Sequence, residues 1–460
     1  LCKEKAMGEL CIENVTIIPM TEKGMIIKNG RIHIKDGKIS KVLSRKPRSR
    51  CGKANIIDGA GMIIMPGLIN AHVHLFQTLV RGRYDNLPLL DWLKGIYAIG
   101  KVLTAKDCYY GALLGCLESI RSGTTTIVDH HFLFRDEEIA DAILTAFRDL
   151  KIRGFLARGM MDSGELVARE AKQSHDEIFR HCDDLLSRFS KDIREKKVGI
   201  MVGPNTPGIN CTPELIREAK RFAKDKKIRI STHIAENDGI VATVREKYGY
   251  GGVVEFLHSL NFLGREVMGA HCVRLNPIEI KIMRDTDTKV VHCPVSNMFL
   301  ADGIAPISQM LQNGVTVSLG SDSTAGNNSQ DMFEVMKTSS LLQRVATLDA
   351  TLLPPWDVLE LATMNGAKAV GIEKDVGSLE PGKRADIIGI DLSSSAHGVA
   401  LHSEASQIVH CARPSDVKLV IIDGEIIMKG GHIRGNKETD IIRKGQKRAE
   451  RLVKRVEKKN

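Results

Sequence analysis

Apolar and polar positions change rhythm twice along the chain. From residue 8 to about residue 60 they alternate in short runs, as in "MIIKNGRIHIKDGKISKVL" (25–43), where Asn29-Gly30 and Asp36-Gly37 each stand between strand-like segments. The same texture returns in "RADIIGIDL" (384–392) and "VKLVIIDGEIIMKGGHI" (417–433), again with Asp-Gly between apolar runs. Two β segments at opposite ends of a chain most simply pair into one small domain, so the pattern predicts a flanking β-sandwich built from residues 1–61 and 376–435.

Between them the rhythm slows. Short continuous apolar runs alternate with long amphipathic stretches of helical period: 62–72, 124–131, 153–159, 198–204, 228–234, 266–272, 289–294 and 315–322 read as buried strands. Eight strands with helical intervals predict an α/β fold, a (β/α)8 TIM barrel over residues 62–375. A doubly wound open sheet would call for a G-x-G-x-x-G after the first strand, and none is present.

Charge alters the picture at one place only. The chain carries a formal net charge of +10, of which the segment 443–460 supplies +7 through nine Lys/Arg against two Glu. Leu452, Val453 and Val456 recur there at helical spacing, so residues 436–460 read as a basic terminal helix packed by a thin apolar stripe, with no call for nucleic acid. No run of eighteen apolar residues suggests a membrane span, and the ten cysteines are scattered without a C-x-x-C pair. The expectation is a cytoplasmic protein with reduced thiols.

Chemistry in a barrel sits at the C-terminal ends of the strands. Those positions hold His72 and His74, Asp129 with His130 and His131, His233 with Glu236, His271, His292 and Asp322. A pair of histidines two apart says little alone, but six of the eight strands end in a histidine or a carboxylate. Strand alternation points both histidines of "NAHVH" to one side, as joint ligation requires. His233 and Asp322 complete a set of three imidazoles and a carboxylate, suited to one divalent metal with a position left for water. Zinc is expected first, with iron as the alternative.

Together, "PGLINAHVHLFQTLVRG" (66–82), "LPLLDWL" (87–93), "SGTTTIVD" (122–129), "STHIAE" (231–236), "GAHC" (269–272), "HCPVSN" (292–297) and "GSDS" (320–323) resemble the metal-dependent amidohydrolase superfamily. The branch is that of adenosine-analogue, guanine and oxopurine deaminases and triazine hydrolases, and the likeness runs from about residue 8 to 435. It implies that His72, His74, His233 and Asp322 bind the metal, that Glu236 shuttles protons to the substrate ring, that His271 orients the attacking water, and that Asp322 takes the water's proton. Binuclear members place a lysine at the end of the fourth strand, where this chain has Asn205, so a single metal follows.

The expected function is hydrolytic removal of an exocyclic amine, as ammonia, from a nitrogen heterocycle of aminopurine, pterin or triazine type. Displacement of chloride or an alkylamine from a triazine, and deamination of an adenosine analogue, are the alternatives. The lean towards a free heterocycle rests on "PNTPG" (204–208), since adenosylhomocysteine deaminases usually carry a histidine at the position of Asn205 and an aromatic residue at that of Gly208. Candidate substrate contacts are Gln77, Trp92, His130 and His292. Gln77 donates to the heterocycle, caps a helix or lies on the surface, Trp92 walls the site or anchors its helix, and His292 lines the pocket or is a buried, hydrogen-bonded residue. The partner is a small heterocyclic molecule, neither nucleic acid nor membrane, and the family resemblance implies a homo-oligomer.

Overall fold

A computed structural model describes residues 9–44, 54–167, 169–435 and 438–459. The N-terminal part supplies strands β1 (Leu10–Ile17), β2 (Ile27–Lys35), β3 (Lys38–Leu43), β4 (Asn55–Asp58) and β5 (Met62–Pro66). Eight strands follow: β6 (Leu68–Val73), β7 (Thr124–His131), β8 (Arg153–Met160), β9 (Val198–Pro204), β10 (Ile230–Ile234), β11 (Val267–His271), β12 (Lys289–His292) and β13 (Val317–Leu319). The chain ends with β14 (Ile387–Asp391), β15 (Val417–Ile422), β16 (Glu425–Lys429), β17 (His432–Ile433) and a helix over Glu438–Glu457.

Strands β6 to β13 lie side by side in chain order, parallel throughout, with helices in the intervals. The seam closes between the last strand and the first: Val73 bridges to Asp322, and the Asp322 amide donates to the His72 carbonyl at 2.9 Å. This is the eight-stranded barrel expected from the sequence. Ile69, Ala71, Val128, Ala157, Met201, Met268 and Val291 come from six of its strands and form one apolar cluster, as side chains converging inside a closed barrel do. The outer helices bury their apolar faces against the strands. Pro213–Lys226, for example, covers Leu215, Ile216, Ala219 and Ala223, starts at Thr212 with its side chain accepting from the Leu215 amide, and ends at Lys227 in the left-handed region.

The remaining nine strands form one sheet from both chain ends, in the order β17-β16-β15-β14-β5-β1-β2-β3 with β4 on β1. Ile12, Ile17 and Ile32 from one end enclose a core with Ile387, Leu419 and Ile421 from the other, so the sheet folds over on itself into a flanking domain. Buried Arg153 at the start of β8 holds that domain to the barrel through two bonds to Asp386, of 3.0 and 2.9 Å.

Two local expectations need correction. The run 62–72 is not one strand: Met62–Pro66 pairs with β1 and β14 in the flanking sheet, and the barrel begins at Leu68. Gly67 marks the break, because a side chain there would lie within 2.1 Å of Thr125 on β7, so only glycine lets the two strands meet. Nor is Asn29-Gly30 a hairpin turn. Both residues lie inside β2, where the β1–β2 register shifts and the Ile17 side chain fills the space over Gly30. Asp36-Gly37 and Asp423-Gly424, by contrast, turn the chain with positive φ at both residues.

Seven of the described cysteines are free thiols, whereas Cys11 is disulfide-bonded, so the expectation of reduced thiols does not hold for every cysteine. Among the described residues no helix is long and apolar enough to cross a membrane.

Candidate metal centre

Strand ends bring the predicted residues together. His72 is the fifth residue of β6, and His74 follows one residue past its end. His233 lies in β10, His271 ends β11, and Asp322 stands just beyond β13. All five are less than a tenth exposed. Ligand atoms of His72, His74 and His233 lie within 4.8 Å of one another, as do those of His72, His271 and Asp322. Asp322 Oδ1 is 3.4 Å from His72 Nε2 and 3.3 Å from His74 Nε2.

The backbone bends to make this possible. Ala235 (φ 46°), His271 (φ 71°) and Asp322 (φ 61°) all occupy the left-handed region, which costs a residue with a side chain of the order of 1 kcal/mol or more. Such departures gather where side chains must be aimed across the end of a strand.

Hydrogen bonds fix which ring nitrogens face inward. His74 Nδ1 lies 2.5 Å from the His130 carbonyl and His233 Nδ1 lies 2.8 Å from the Asn205 carbonyl. A carbonyl only accepts, so both Nδ1 atoms carry the proton and both Nε2 atoms present bare lone pairs when the rings are neutral. Burial favours the neutral form, holding His74 down to about 3 and His233 well below its usual range. Yet the two Nε2 atoms face each other at 3.3 Å, with the Asp322 carboxylate beside them. Lone pairs in contact, next to an anion and away from water, repel unless a cation lies among them. Both His72 nitrogens and Asp322 Oδ1 are also buried without a hydrogen-bond partner. The donor set therefore fits a divalent metal ion.

Beside this cluster stands a second, protonic pair. His271 Nε2 lies 3.6 Å from Glu236 Oε1, while Asn297 Oδ1 accepts from His271 Nδ1 at 2.9 Å. Burial pushes the Glu236 carboxyl up to about 7, with His271 opposing and Asp302 and Asp322 adding to the rise. A carboxyl at this value exchanges its proton near neutral pH. For Asp322, burial works upward, but the His72 contact and the charge of His271 outweigh it and keep the carboxylate well below its usual range.

The other candidates are placed as follows. His130 lies beside the cluster, its ring 4.8 Å from that of His233, whereas His131 turns away to the Leu133 carbonyl and packs on Phe76 and Phe134. His292 is fully buried with neither ring nitrogen hydrogen-bonded, so it is not a satisfied core histidine. Gln77 is neither on the surface nor a helix cap: it is fully buried, takes a hydrogen bond from Ser323 at Oε1, and leaves its Nε2 unpartnered. Trp92 donates its indole N–H to the Ala325 carbonyl at 2.9 Å and so ties the helix Leu89–Gly100 to the segment after Asp322.

Several supporting residues were not singled out from the sequence. Ser296 donates to Asp322 Oδ2, and fully buried Asn70 clasps Ser321 through its amide N–H (2.7 Å) and its carbonyl oxygen (2.9 Å). Asp302 is buried, accepts from Asn237 at 3.2 Å, and has its other oxygen unpartnered. Asn70 stands two residues before His72, a nearness that does not say which side chain turns inward, while Ser296 and Asp302 lie 26 and 20 residues before Asp322 and carry no such signal.

The chain is similar to known proteins along almost its whole length. The family model described as the amidohydrolase family matches residues 63–427. A 5'-deoxyadenosine deaminase from Methanosarcina mazei is 36% identical over 98% of this chain and 100% of its own length. A 5-methylthioadenosine/S-adenosylhomocysteine deaminase from Syntrophomonas wolfei is 36% identical over 96% of this chain and 99% of its own. Among solved structures, an adenosine deaminase from Xanthomonas campestris with bound zinc superposes with a TM-score of 0.90 at 26% identity, covering 97% of this chain and 98% of the other. An atrazine chlorohydrolase from Arthrobacter aurescens complexed with zinc gives a TM-score of 0.90 at 25% identity, covering 96% and 100%. From the barrel with its converging strand ends to the flanking sheet that both termini share, this chain belongs to the amidohydrolase family of hydrolytic enzymes.

Proposed function

We propose that the protein is a metal-dependent hydrolytic deaminase that releases ammonia from the exocyclic amine of a nitrogen heterocycle, with the adenine ring of a 5'-deoxyadenosine-type nucleoside as its first substrate class. The observation that carries the chemistry is the pair of bare Nε2 atoms of His74 and His233, 3.3 Å apart beside Asp322, with Glu236, whose carboxyl burial pushes up to about 7, standing 3.6 Å from His271. The substrate class is supported by full-length relatives that are named for such nucleosides. That support puts the nucleoside ahead of a free heterocycle, for which Asn205 and Gly208 had spoken.

His72, His74, His233 and Asp322 would hold the ion, zinc before iron since the two similar solved structures contain zinc. When bound, the metal acts as a Lewis acid and lowers the pKa of water, from about 15.7 towards 7. Asp322 accepts the proton that water loses as its oxygen adds to the amine-bearing carbon. Glu236 gives its proton to a ring nitrogen and then assists transfer to the departing amine, which leaves as ammonia when the C–N bond breaks. His271, held by Asn297, orients the water. Gln77 offers its unpartnered Nε2 as a donor to the ring, and His130, His292 and Trp92 would flank the substrate.

Displacement of chloride or an alkylamine from a triazine is the second reading, favoured by the atrazine chlorohydrolase superposition. Products separate the two. The metal-loaded protein is expected to release ammonia from 5'-deoxyadenosine or a 5'-substituted relative, and chloride or alkylamine release without ammonia would install the second reading.

A further inference from the structure

The basic C-terminal segment has no part in the chemistry above, yet the fold gives it a defined place. Its helix, Glu438–Glu457, packs on the helix Ala105–Arg121, on the helix Leu89–Gly100 and on the 3-10 turn Leu75–Val80 that follows His74. Three layers meet closely. Gly445 of the tail helix sits on Leu114, where an added side chain would come within 2.5 Å. Gly111 and Gly115 of the middle helix sit on the turn itself, where side chains would come within 3.0 Å of the Leu75 carbonyl oxygen and the Phe76 Cα and 2.5 Å of the Leu75 side chain. The Leu75 amide in turn donates to Asp129 Oδ1 at 2.9 Å, one residue after His74.

One carboxylate locks the stack. Asp107 is fully buried at the start of the middle helix, where its Oδ2 accepts from the Thr104 amide (3.0 Å) and hydroxyl (2.6 Å). Arg448 reaches its Oδ1 with Nε at 2.9 Å and Nη2 at 2.6 Å, and Arg455 pairs with Oδ2. Two guanidinium groups of the tail, about two helical turns apart, are thus spent on a single internal anion. At either end of the tail helix Arg121 pairs with Glu438 and Arg83 with Glu457.

We propose that the C-terminal helix is a brace for the metal centre, and that Asp107, through Arg448 and Arg455, is a positioning residue that presses the Leu75–Val80 turn into place and so sets the aim of His74 and Gln77. The inference rests on the metal reading given under the proposed function. Groups hydrogen-bonded directly to a metal ligand are worth roughly 10- to 100-fold in metal affinity, and the brace, acting one layer further out, is set at the lower end of that range.

The test compares the full chain, a truncation after Gly435, and the double variant Arg448→Met with Arg455→Met, with the exposed substitutions Lys447→Ala and Lys454→Ala as controls. Zinc dissociation constants are measured by competition with a chelating dye, beside circular dichroism and kcat at saturating zinc. The expected result is a folded double variant that binds zinc about tenfold or more weakly and regains most of its kcat when zinc is raised, while the controls match the parent. A truncation that fails to fold leaves the double variant to decide. Folded double variant that binds zinc as tightly as the parent overturns the brace, whereas a parent that binds no zinc overturns the metal reading beneath it.

Discussion

The main-chain amide of Asp322 donates to the main-chain carbonyl of His72 at 2.9 Å, and this bond joins the last barrel strand to the first at the point where the two side chains meet. Closure of the fold and assembly of the site are therefore one event. An eight-stranded barrel that failed to close would separate Asp322 from the three histidines contributed by β6 and β10.

Asn70 holds that seam from within, bonded to both the amide and the hydroxyl of Ser321. Asn70→Ala would leave the buried Ser321 amide without a partner, at a cost of about 1–3 kcal/mol. The expected outcome is a lowered melting temperature together with weaker metal binding, because Asp322 is the next residue. A variant that loses stability but keeps the parent's metal affinity would show that the seam does not position Asp322.

Glu236 is assigned proton transfer and no ligation, so Glu236→Gln separates the two. The variant is expected to retain metal, read by elemental analysis, and to lose about 10²- to 10⁴-fold in kcat. Turnover near the parent's would remove Glu236 from the mechanism.

Arg153 and Asp386 lie at the opposite end of the barrel from the chemistry, both nearly fully buried. Arg153→Met leaves the carboxylate of Asp386 in the interior with only the Asp423 amide for company, so unfolding should become easier by about 3–5 kcal/mol. The kcat of the molecules that remain folded should not change. Denaturant titration at fixed metal concentration checks the first, and active-site-normalised kinetics the second.

His175 sits between two carboxylates, 3.0 Å from Asp162 and 2.9 Å from Glu218, and ties the start of its helix to the neighbouring one. Burial draws its pKa down, but the Asp162 hydrogen bond and the Glu218 charge outweigh that and lift it above the ordinary 6.5. A raised pKa favours the folded state while the ring is charged, so the contribution is complete below about pH 6 and fades as pH rises through the folded value. The difference in melting temperature between the parent and His175→Asn should therefore shrink steadily from pH 5.5 to pH 9. A difference that grows with pH would contradict the charged-ring account.

The barrel and its site were legible in the sequence to unequal depth. Each strand run carried its own apolar signal, and His72, His74, His233, His271 and Asp322 stood at run ends, so a rule about strand ends found the cluster. The break at Gly67 was hidden because Met62–Pro66 and Leu68–Val73 are both wholly or largely apolar, and only pairing partners 47 or more residues away assign them to different sheets. The groups that orient the ligands were hidden for a related reason. His233 is set by a main-chain carbonyl at Asn205, a contact that no side-chain identity announces, and the partners Ser296–Asp322 and Asn297–His271 are each 26 residues apart. The tail's charge was visible, but not that Arg448 and Arg455 turn inward onto Asp107, some 340 residues earlier in the chain.

The central claim is metal-dependent deamination, and ammonia release from 5'-deoxyadenosine tests it most directly, measured on the zinc-loaded protein, after chelation, and again after zinc is restored. The account predicts ammonia in equal amount to the deaminated nucleoside, lost on chelation and recovered with zinc. Ammonia release that survives complete removal of metal, or a zinc-loaded protein that releases none from any adenine nucleoside, would contradict it.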